Sequence, residues 1–543
     1  MTRNSACAAH LPDDVARSTD DCLNELEQMQ FASRIYQHDA ALWRGDQGES
    51  RQRLGWLHAP NTMTRHCGFL RSFADGAKRD GITDIVLLGM GGSSLGAEVV
   101  NQVIGTTPGF PRLHVLDSTV PGVVAAVSNR IDLDHTLFIV SSKSGGTIEP
   151  NVLYQFFHHE VGRLAGPKPG SRFLAITDAG SSLEKAAREG AFRQVFLNPA
   201  DIGGRYSVLS LFGLVPAALM GIDVPEMLAR AEKMARACGP STTAADNPGA
   251  QLAAYVSGCA RAGRDKLTFL TSPALESFGL WAEQLIAEST GKEGRGVVPV
   301  MGEPLFEPGA YAPDRAFAYL RLNGDDNQEA DAFAHTLREA GFPCLTINMP
   351  DRYSLGGEFY RWEYATAAIG ALLGINPFDQ PDVQRAKDAS TRVLAHYEEH
   401  GRWPEVEAID SLPELLATLR AGDYFCILAY LRQRADLDAA FSDLRRRVGT
   451  RHRVSTTLGY GPRYLHSTGQ LHKGGPNTCV LLQVCSSHPN DVPIPSKGYS
   501  FGTVADAQAL GDLQALNSLD RRVARIVLED DDSTLLQRAL LLT

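Results

Sequence analysis

Residues 84–100 read DIVLLGMGGSSLGAEVV and residues 136–151 read TLFIVSSKSGGTIEPN, and these two stretches decide the fold. Each begins with a short apolar run, passes through a turn rich in glycine and serine, and continues at helical spacing. A strand that leads through such a turn into a helix presents free backbone N–H groups at the positive end of the helix dipole. In an open parallel sheet, both turns lie at the carboxyl ends of the strands. The two stretches therefore predict one site for a phosphate group.

Two other kinds of phosphate loop fit these residues less well. The pattern G-x-x-x-x-G-K-[ST] does not occur here, so no nucleoside triphosphate loop is predicted. A dinucleotide site is a closer alternative, because Gly89 and Gly91 follow a strand and the next strand ends at Asp117. Ser94 stands where G-x-G-x-x-G requires glycine, which counts against a nicotinamide-dependent oxidoreductase. The remaining alternative is that these glycines only tighten ordinary strand-to-helix turns.

Composition and charge limit the class of protein. The 543 residues carry a net charge of −11, with 43% hydrophobic and 21% charged residues, as is typical of a soluble globular protein. This charge disfavours nucleic acid and anionic membranes as partners, so a small ligand in a local pocket is expected. The nine cysteines include no C-x-x-C pair, and no apolar leader or membrane-length apolar stretch occurs. We predict a cytoplasmic location.

The alternation of apolar runs with helical patterns predicts an α/β fold. We expect two or more doubly wound parallel sheets, because strands that alternate with helices form parallel sheets covered on both faces. The predicted organisation is a helical N-terminal segment at 1–60, α/β modules at 61–222 and 223–400, and an α/β C-terminal extension at 401–543. The predicted strands are 85–88, 113–116, 137–140, 173–177, 195–197, 267–270, 297–298, 318–320, 344–347, 425–429, 454–457, 480–484 and 526–528.

Five sequence blocks resemble those of the sugar isomerase (SIS) domain superfamily and, within it, the phosphoglucose isomerase family. They are GGSSLG at 91–96, SSKSGGT at 141–147, GGRYS at 203–207, ESTGK at 288–292 and NPFDQPDVQRAK at 376–387. A sixth block, LHSTGQLHKGG at 465–475, is similar to the isomerase half of fused transaldolase–isomerase chains. The resemblance implies SIS-type modules, a homodimer, and interconversion of glucose 6-phosphate and fructose 6-phosphate through a cis-enediolate without cofactor or metal.

An aldose–ketose isomerase needs a carboxylate base, a cation beside the developing negative charge and a group that opens the sugar ring. Glu288 is the predicted base, because it ends an apolar-faced helix where burial and the negative end of the dipole would raise its basicity. Arg205 follows two glycines and is predicted to hold an enediolate oxygen with its permanent charge. A solvated glutamate at a helix end and a surface arginine in a glycine turn are the alternatives.

The resemblance also assigns roles to a lysine and a histidine. Lys387 is implied to assist ring opening near the ring oxygen, although the sequence alone presents an ordinary exposed lysine. His466 is the predicted ring-opening acid, since an imidazole can donate and accept a proton near neutral pH. In common family members the histidine block lies between the glutamate and the lysine, whereas here it follows the lysine. A capping or interface histidine is therefore the alternative, and His472 is a weaker candidate.

The substrate phosphate is predicted to contact both loops. The candidate residues are Gly92, Ser93, Ser142, Lys143, Ser144 and Thr147. A non-catalytic sugar-phosphate sensor on this fold would keep the loops but has no need of Glu288, Arg205 and Lys387, so their joint presence favours an enzyme. Mannose 6-phosphate stays open as a second substrate, because C2 epimers share one enediolate. No H-E-x-x-H motif occurs, and no metal site is predicted.

Overall fold

The structure is a computed structural model, and it describes residues 7–45, 47–164, 168–530, 534 and 536–537. Within these ranges the strands belong to three sheets that are covered by helices. The strands are β1 (Cys7–His10), β2 (Asp84–Gly89), β3 (Arg112–Leu116), β4 (Thr136–Ser141), β5 (Phe173–Asp178), β6 (Gln194–Asn198), β7 (Lys266–Thr271), β8 (Val298–Val300), β9 (Arg315–Leu322), β10 (Cys344–Met349), β11 (Tyr424–Tyr430), β12 (Ser455–Tyr460), β13 (Cys479–Ser486) and β14 (Arg522–Leu528).

The α-helices connect and cover these strands. They are α1 (Asp13–Gln28), α2 (Phe31–Tyr36), α3 (Gln47–Arg51), α4 (Ala59–Thr62), α5 (Cys67–Arg79), α6 (Leu95–Val103), α7 (Pro121–Ser128), α8 (Ile148–Leu164), α9 (Ser182–Glu189), α10 (Leu211–Leu219), α11 (Val224–Ala237), α12 (Pro248–Arg261), α13 (Phe278–Thr290), α14 (Gln328–Glu339), α15 (Leu355–Leu373), α16 (Pro381–His400), α17 (Leu412–Ala417), α18 (Ala435–His452), α19 (Gly469–Gly474) and α20 (Phe501–Asn517). In the described part of the chain, no helix combines the length and apolarity needed to cross a membrane.

The first sheet is fully parallel, with the strand order β3-β2-β4-β5-β6. Every residue of β2 and β4 is buried, as expected for central strands that are covered on both faces. The chain runs from β2 outward to β3 and then returns to β4 on the other side of β2. This reversal creates a crevice between the carboxyl ends of β2 and β4, where ligands of open α/β sheets bind. The two predicted phosphate loops follow these two neighbouring strands.

The second sheet has the order β1-β10-β9-β7-β8, and only β1 among the strands described here runs antiparallel to its neighbour. The N-terminal segment, predicted as helical, thus also contributes an edge strand. Its four residues are too short a run for hydrophobic periodicity to reveal, and the strand forms by pairing with β10. Helix α15 is buried along almost its whole length, as an apolar helix inside a large core must be.

The third sheet is parallel, with the order β12-β11-β13-β14, and it has its own apolar core. Helix α16 ends at His400, and Gly401 caps it in the left-handed conformation. The same helix packs against α20 of the third module, so α16 extends from the second module to the third. The predicted α/β class with several parallel sheets is confirmed, and each predicted strand lies within or overlaps an observed one. The domain boundaries stay predictions.

Candidate active site

The first phosphate loop, residues 89–94, lies directly against the GGRYS turn. A Cβ atom built on Gly92 would lie 2.0 Å from the carbonyl oxygen of Gly204, so only glycine permits this approach. Gly91 has a φ of +54°, and a Cβ there would lie 2.6 Å from Nε2 of Gln284. The glycines at 91 and 92 therefore let the loop contact both the arginine turn and the helix of the predicted base.

The second phosphate loop, residues 141–147, is tied to the first. Ser141 donates from Oγ to the carbonyl oxygen of Ser93 at 2.9 Å. Within the loop, Ser142 Oγ accepts from the N–H of Gly145 at 3.1 Å and donates to Thr147 Oγ1 at 3.4 Å. Ser144 is exposed, and α8 begins directly after Thr147. The structure thus brings the predicted phosphate-binding hydroxyls to the start of a helix, where anions are stabilised.

Lys143 makes a different contact from the other loop residues. Its Nζ is paired with the carboxylate of Asp178 and donates to the carbonyl oxygen of Ala200 at 3.1 Å. Burial lowers the pKa of the Lys143 ammonium, although the adjacent Asp178 opposes this change. Lys143 therefore neutralises Asp178 in this structure, and its contact with a phosphate stays a prediction.

The predicted base is buried and held from the preceding helical turn. Glu288 lies near the end of α13 and is 7% exposed. Gln284 donates from Nε2 to Glu288 Oε2 at 3.0 Å and to the carbonyl oxygen of His466 at 2.8 Å. One amide group therefore holds the carboxylate and joins it to the backbone of the predicted ring-opening residue. Its own Oε1 is buried without a hydrogen-bond partner among the described residues.

Arg205 is enclosed by hydrogen-bond acceptors. Its Nε donates to Ser289 Oγ at 2.8 Å, and its Nη1 donates to Gln380 Oε1 at 2.5 Å. Its Nη2 donates to the carbonyl oxygens of Pro377 and Asp379 at 2.7 Å and 2.9 Å. Four of the five N–H donors of a guanidinium are thereby engaged. The fifth donor is the second N–H group of Nη1. The predicted base is its neighbour, with Glu288 Oε1 lying 3.7 Å from Nη1.

A second buried cation holds the same loop from its other side. Lys292 donates from Nζ to the carbonyl oxygens of Asn376 and Asp379 at 2.7 Å and 2.6 Å, and to Asp379 Oδ1 at 2.7 Å. Burial, together with the charge of Arg205, lowers the pKa of Lys292 to about 8, while Asp379 opposes this shift. Residues 376–380 are thus fixed between Lys292 and Arg205, which keeps the guanidinium in place.

The predicted ring-opening histidine pairs with a buried glutamate. His466 Nε2 lies 2.9 Å from Glu149 Oε1, and Gln508 donates from Nε2 to the same oxygen at 2.6 Å. Burial would raise the pKa of the Glu149 carboxyl, but the His466 imidazole and the charge of Lys387 lower it below its ordinary value. Glu149 is therefore ionised at neutral pH and accepts a hydrogen bond from the Nε2–H group of His466. The other ring nitrogen of His466, Nδ1, is left to bind a ligand.

Lys387 shares a cavity with this pair. The cavity has a volume of about 180 Å³, and its lining includes Lys387, Thr147, Glu149, His466 and Gln508. Lys387 itself is exposed on α16. The cavity thus joins the second phosphate loop to the histidine and the lysine. Glu288 is not among its lining residues, and Gln284 links that carboxylate to the His466 carbonyl.

Comparisons with known proteins identify the family of this chain. Residues 60–297 match the family model described as phosphoglucose isomerase. The chain is 31% identical over 392 residues to a glucose-6-phosphate isomerase of Heliobacterium modesticaldum, covering 63% of this chain and 87% of the relative. It is 30% identical over 406 residues to that of Symbiobacterium thermophilum, covering 65% and 89% of the two chains. The chain belongs to the phosphoglucose isomerase family.

A solved structure shows the same fold. The glucose-6-phosphate isomerase of Chlamydia trachomatis superposes with a TM-score of 0.62 at 20% identity, covering 73% of this chain and 90% of that one. The predicted phosphoglucose isomerase resemblance is confirmed. The matched range of the family model contains the serine loops, Arg205 and Glu288, but neither Lys387 nor His466. The part of the isomerase site that departs from the common sequence order therefore rests on geometry.

Sequence reasoning missed three residues that contact the predicted site residues. Glu149 stands two positions after Thr147, and Gln284 stands one helical turn before Glu288, so their spacing from chosen residues was a usable signal. Gln508 carries no such signal, because it is joined to Glu149 only by the fold. His472, the weaker histidine candidate, lies in the third module, where burial lowers its pKa to about 3 and its Nε2 is 3.7 Å from the sulfur of Cys426.

Proposed function

We propose that the protein interconverts glucose 6-phosphate and fructose 6-phosphate by moving a proton between C2 and C1 through a cis-enediolate. The observation that carries the proposal is the Gln284 amide, which donates to both Glu288 and the His466 backbone. This amide links the proposed base to the backbone of the proposed ring-opening histidine, which supports a shared site next to the two serine loops. Relatives that bear the name glucose-6-phosphate isomerase support the same substrate pair.

Ring opening is assigned to His466. The C1–O5 bond of the pyranose breaks as a proton moves from Nδ1 of the imidazolium to O5, and the C1 hydroxyl gives its proton to solvent as the aldehyde forms. Glu149, which stays ionised and bonded to Nε2, stabilises the imidazolium and fixes its orientation. Lys387 lies in the same cavity and is assigned to the developing charge on the ring oxygen.

Isomerisation is assigned to Glu288. Its carboxylate removes the proton from C2 of the open aldose, and the C–H electron pair forms the C1=C2 bond while the carbonyl oxygen takes up negative charge. Glu288 returns the proton to C1, the C2 hydroxyl becomes the carbonyl, and the proton it releases passes to the negatively charged oxygen on C1, which yields the ketose. Arg205 supplies the positive charge beside the enediolate, and its Nη1 lies 3.7 Å from the base. The guanidinium needs no reorganisation, because its other donors are already bonded.

The phosphate, which does not change in the reaction, is assigned to Gly92, Ser93, Ser142, Lys143, Ser144 and Thr147. Hydroxyls and free N–H groups at the start of α8 suit a dianion.

The deciding experiment is a coupled assay that starts from fructose 6-phosphate and detects glucose 6-phosphate, with and without a chelator. We expect turnover in both conditions, together with deuterium incorporation at C1 and C2 from deuterated water. Absence of both turnover and exchange would refute the proposal.

The homodimer and the cytoplasmic location are part of the proposal. The contacts that link Glu288 with Arg205 and Gln284 with His466, and the cavity shared by Lys387 and His466, all lie within one chain, which supports a site formed by a single chain. We therefore expect mixtures of Glu288→Gln and His466→Ala chains to show no activity beyond that of their components. Recovery of activity on mixing would show that the histidine is supplied across an interface. The unpaired thiols of the described cysteines agree with a reducing compartment.

A further inference from the structure

One arginine of the third module pairs with two carboxylates of the first. Arg463 begins the 3₁₀ turn Arg463–His466, three residues before the histidine. Its Nε lies 2.8 Å from Asp117 Oδ2, and its Nη2 donates to Asp117 Oδ1 at 3.0 Å. The same Nη2 lies 2.9 Å from Glu98 Oε2. The two-point contact with Asp117 fixes the orientation of the guanidinium plane as well as its position.

Both carboxylates belong to elements that flank the first phosphate loop. Asp117 follows β3, and Glu98 lies in the first turn of α6, the helix into which the loop leads. Ser94, at the end of the loop, lies with its Oγ 3.5 Å from Asp117 Oδ2. The side chains of Asp117 and Glu98 are only 6% and 15% exposed. Because water has little access, these charges are screened less than a surface pair would be.

The positive charge of Arg463 and the negative charges of Asp117 and Glu98 stabilise each other. Burial raises the pKa of Glu98, and the Arg463 guanidinium opposes this change. Burial would lower the pKa of Arg463, but the charges of Asp117 and Glu98 outweigh it and raise that pKa above its ordinary value. Removing the arginine would leave two buried carboxylates without their counter-charge, so the contact has to form when the third module docks.

Arg463 and His466 belong to the same 3₁₀ turn, so fixing the arginine also fixes the histidine. Residues three apart lie above one another in a 3₁₀ helix, so the anchored Arg463 sets the placement of His466. The His466 carbonyl accepts from Gln284, and a Cβ built on Gly91 would lie 2.7 Å from that same oxygen. The backbone of the histidine is therefore packed against the glycine loop. A displacement of about 1 Å is enough to misalign a catalytic group.

We propose that Arg463 is a positioning residue, which holds the ring-opening His466 at the phosphate loops. The role of His466 rests on the proposed function, whereas the anchoring contact is testable without turnover. Asp117 and Glu98 are the partners through which Arg463 acts. Asp117 thus serves module docking, although its place at the end of β3 is where a dinucleotide site would use an acidic residue.

The kinetic test is Arg463→Met. We expect turnover on cyclic fructose 6-phosphate to fall at least about tenfold, because a misaligned histidine opens the ring poorly. Deuterium exchange on a four-carbon aldose phosphate, which has no free C4 hydroxyl to close a ring, should stay within about twofold, because that step needs Glu288 and Arg205 but not the ring-opening histidine. Arg463→Lys keeps the charge without the two-point contact and should fall between the wild type and Arg463→Met.

The matched control is Arg445→Met. Arg445 is a buried arginine of the third module that docks onto the second module, where it donates to the carbonyl oxygens of Met301 and Gly302 at 2.9 Å and 2.7 Å. We expect this variant to change both activities by the same factor. Adding Asp117→Asn to Arg463→Met should lower the ratio of cyclic to open-chain activity little further, because the coupled contact is already lost.

A measurement without turnover decides the case independently. In ¹⁵N-histidine NMR, the His466 signals are assigned by their loss in His466→Gln. We expect Arg463→Met to move them towards the shifts of a solvated histidine, and Arg445→Met to leave them in place. Unmoved His466 signals, or equal losses on cyclic and open-chain substrates in Arg463→Met, would overturn the proposal. If the wild type lacks isomerase activity, the proposed function fails, and the NMR comparison alone decides the role of Arg463.

Discussion

The two halves of the site are held in opposite ways. On the glutamate side, Glu288 and Arg205 are 7% and 4% exposed, and they are fixed by a helix and a loop within one large core. On the histidine side, His466 comes from a module with its own core and meets Glu149 only where that module docks. The first half is held by long-range contacts within one core, as between Arg205 and residues 377–380, and the second depends on an interface with the third module. The proton-transfer step should therefore be less sensitive than ring opening to disturbed docking.

We expect the largest effect from the substitution that removes the base. Glu288→Gln preserves the shape and the hydrogen bond from Gln284 but cannot accept a proton, so turnover should fall by roughly 10²–10⁴-fold with substrate binding largely retained. Cyclic and open-chain substrates should suffer alike, and deuterium exchange should disappear. Coupled assays and exchange measured by NMR test this. Glu293→Gln, a change at an exposed glutamate five residues later, is the control. Exchange near the wild-type rate would assign the base to another carboxylate.

The next largest effect should distinguish the ring-opening step on the histidine side from the proton transfer on the glutamate side. His466→Ala removes the ring-opening group, and we expect turnover on cyclic fructose 6-phosphate to fall by about 10²-fold, within the usual range for a general acid. Exchange on a four-carbon aldose phosphate should be much less affected. His335→Ala, on an exposed face of α14, is the matched control. Equal loss on both substrates would assign His466 to structure or to the enediolate step, and no loss on either would remove it from the site.

The pH dependence of the unfolding free energy tests Lys292, which holds the loop next to Arg205 on the glutamate side. The pKa of Lys292 is lowered to about 8, so between pH 8 and the ordinary lysine value near 10.5 the unfolded chain binds a proton that the native protein has released. Stability from this group therefore rises with pH across that window, at up to about 1.4 kcal/mol per pH unit. The difference in unfolding free energy between the wild type and Lys292→Met should change in the wild type's favour from pH 8 to pH 10, as measured in urea.

The control for this experiment is Lys387→Met, at an exposed lysine on α16. Its stability difference from the wild type should stay nearly constant over the same pH window. A flat difference for Lys292→Met would mean that the ammonium keeps its proton up to the ordinary lysine range. The loop 376–380 would then be held by a permanently charged lysine.

The sequence predicted the glutamate side better than the histidine side for a physical reason. The strands were predictable because buried parallel strands read as apolar runs bounded by glycine-rich turns, as in β2 and β4. Glu288 and Arg205 stand within the short blocks ESTGK and GGRYS, which are visible in the sequence, although the partners of Arg205 at 377–380 are not local. Glu149 and His466 are 317 residues apart, so nothing local in either stretch indicates that they pair. Lys143 shows the same limit, since its partner Asp178 ends the adjacent strand β5.

The N-terminal strand and the docking contacts could not be predicted for a related reason. Edge strand β1 is defined by its pairing with β10, more than 300 residues later, and its short run contains no helical or alternating pattern. Arg463 looks like any arginine until two carboxylates of another module are placed around it. The alternation of strands and helices gave the architecture, whereas the contacts between modules depend on tertiary packing.

The smallest expected effect lies at the second phosphate loop, which borders both halves. Thr147→Ala removes one hydroxyl from a group that binds an unchanging phosphate, so the Michaelis constant should rise about tenfold while turnover changes little. The matched control is Thr391→Ala, because Thr391 lines the same cavity but donates its hydroxyl to the Lys387 carbonyl at 2.9 Å. Initial rates over a range of fructose 6-phosphate concentrations separate the two constants. A fall in turnover with an unchanged Michaelis constant would place Thr147 in the chemical step, and equal effects of both threonine variants would place the phosphate elsewhere.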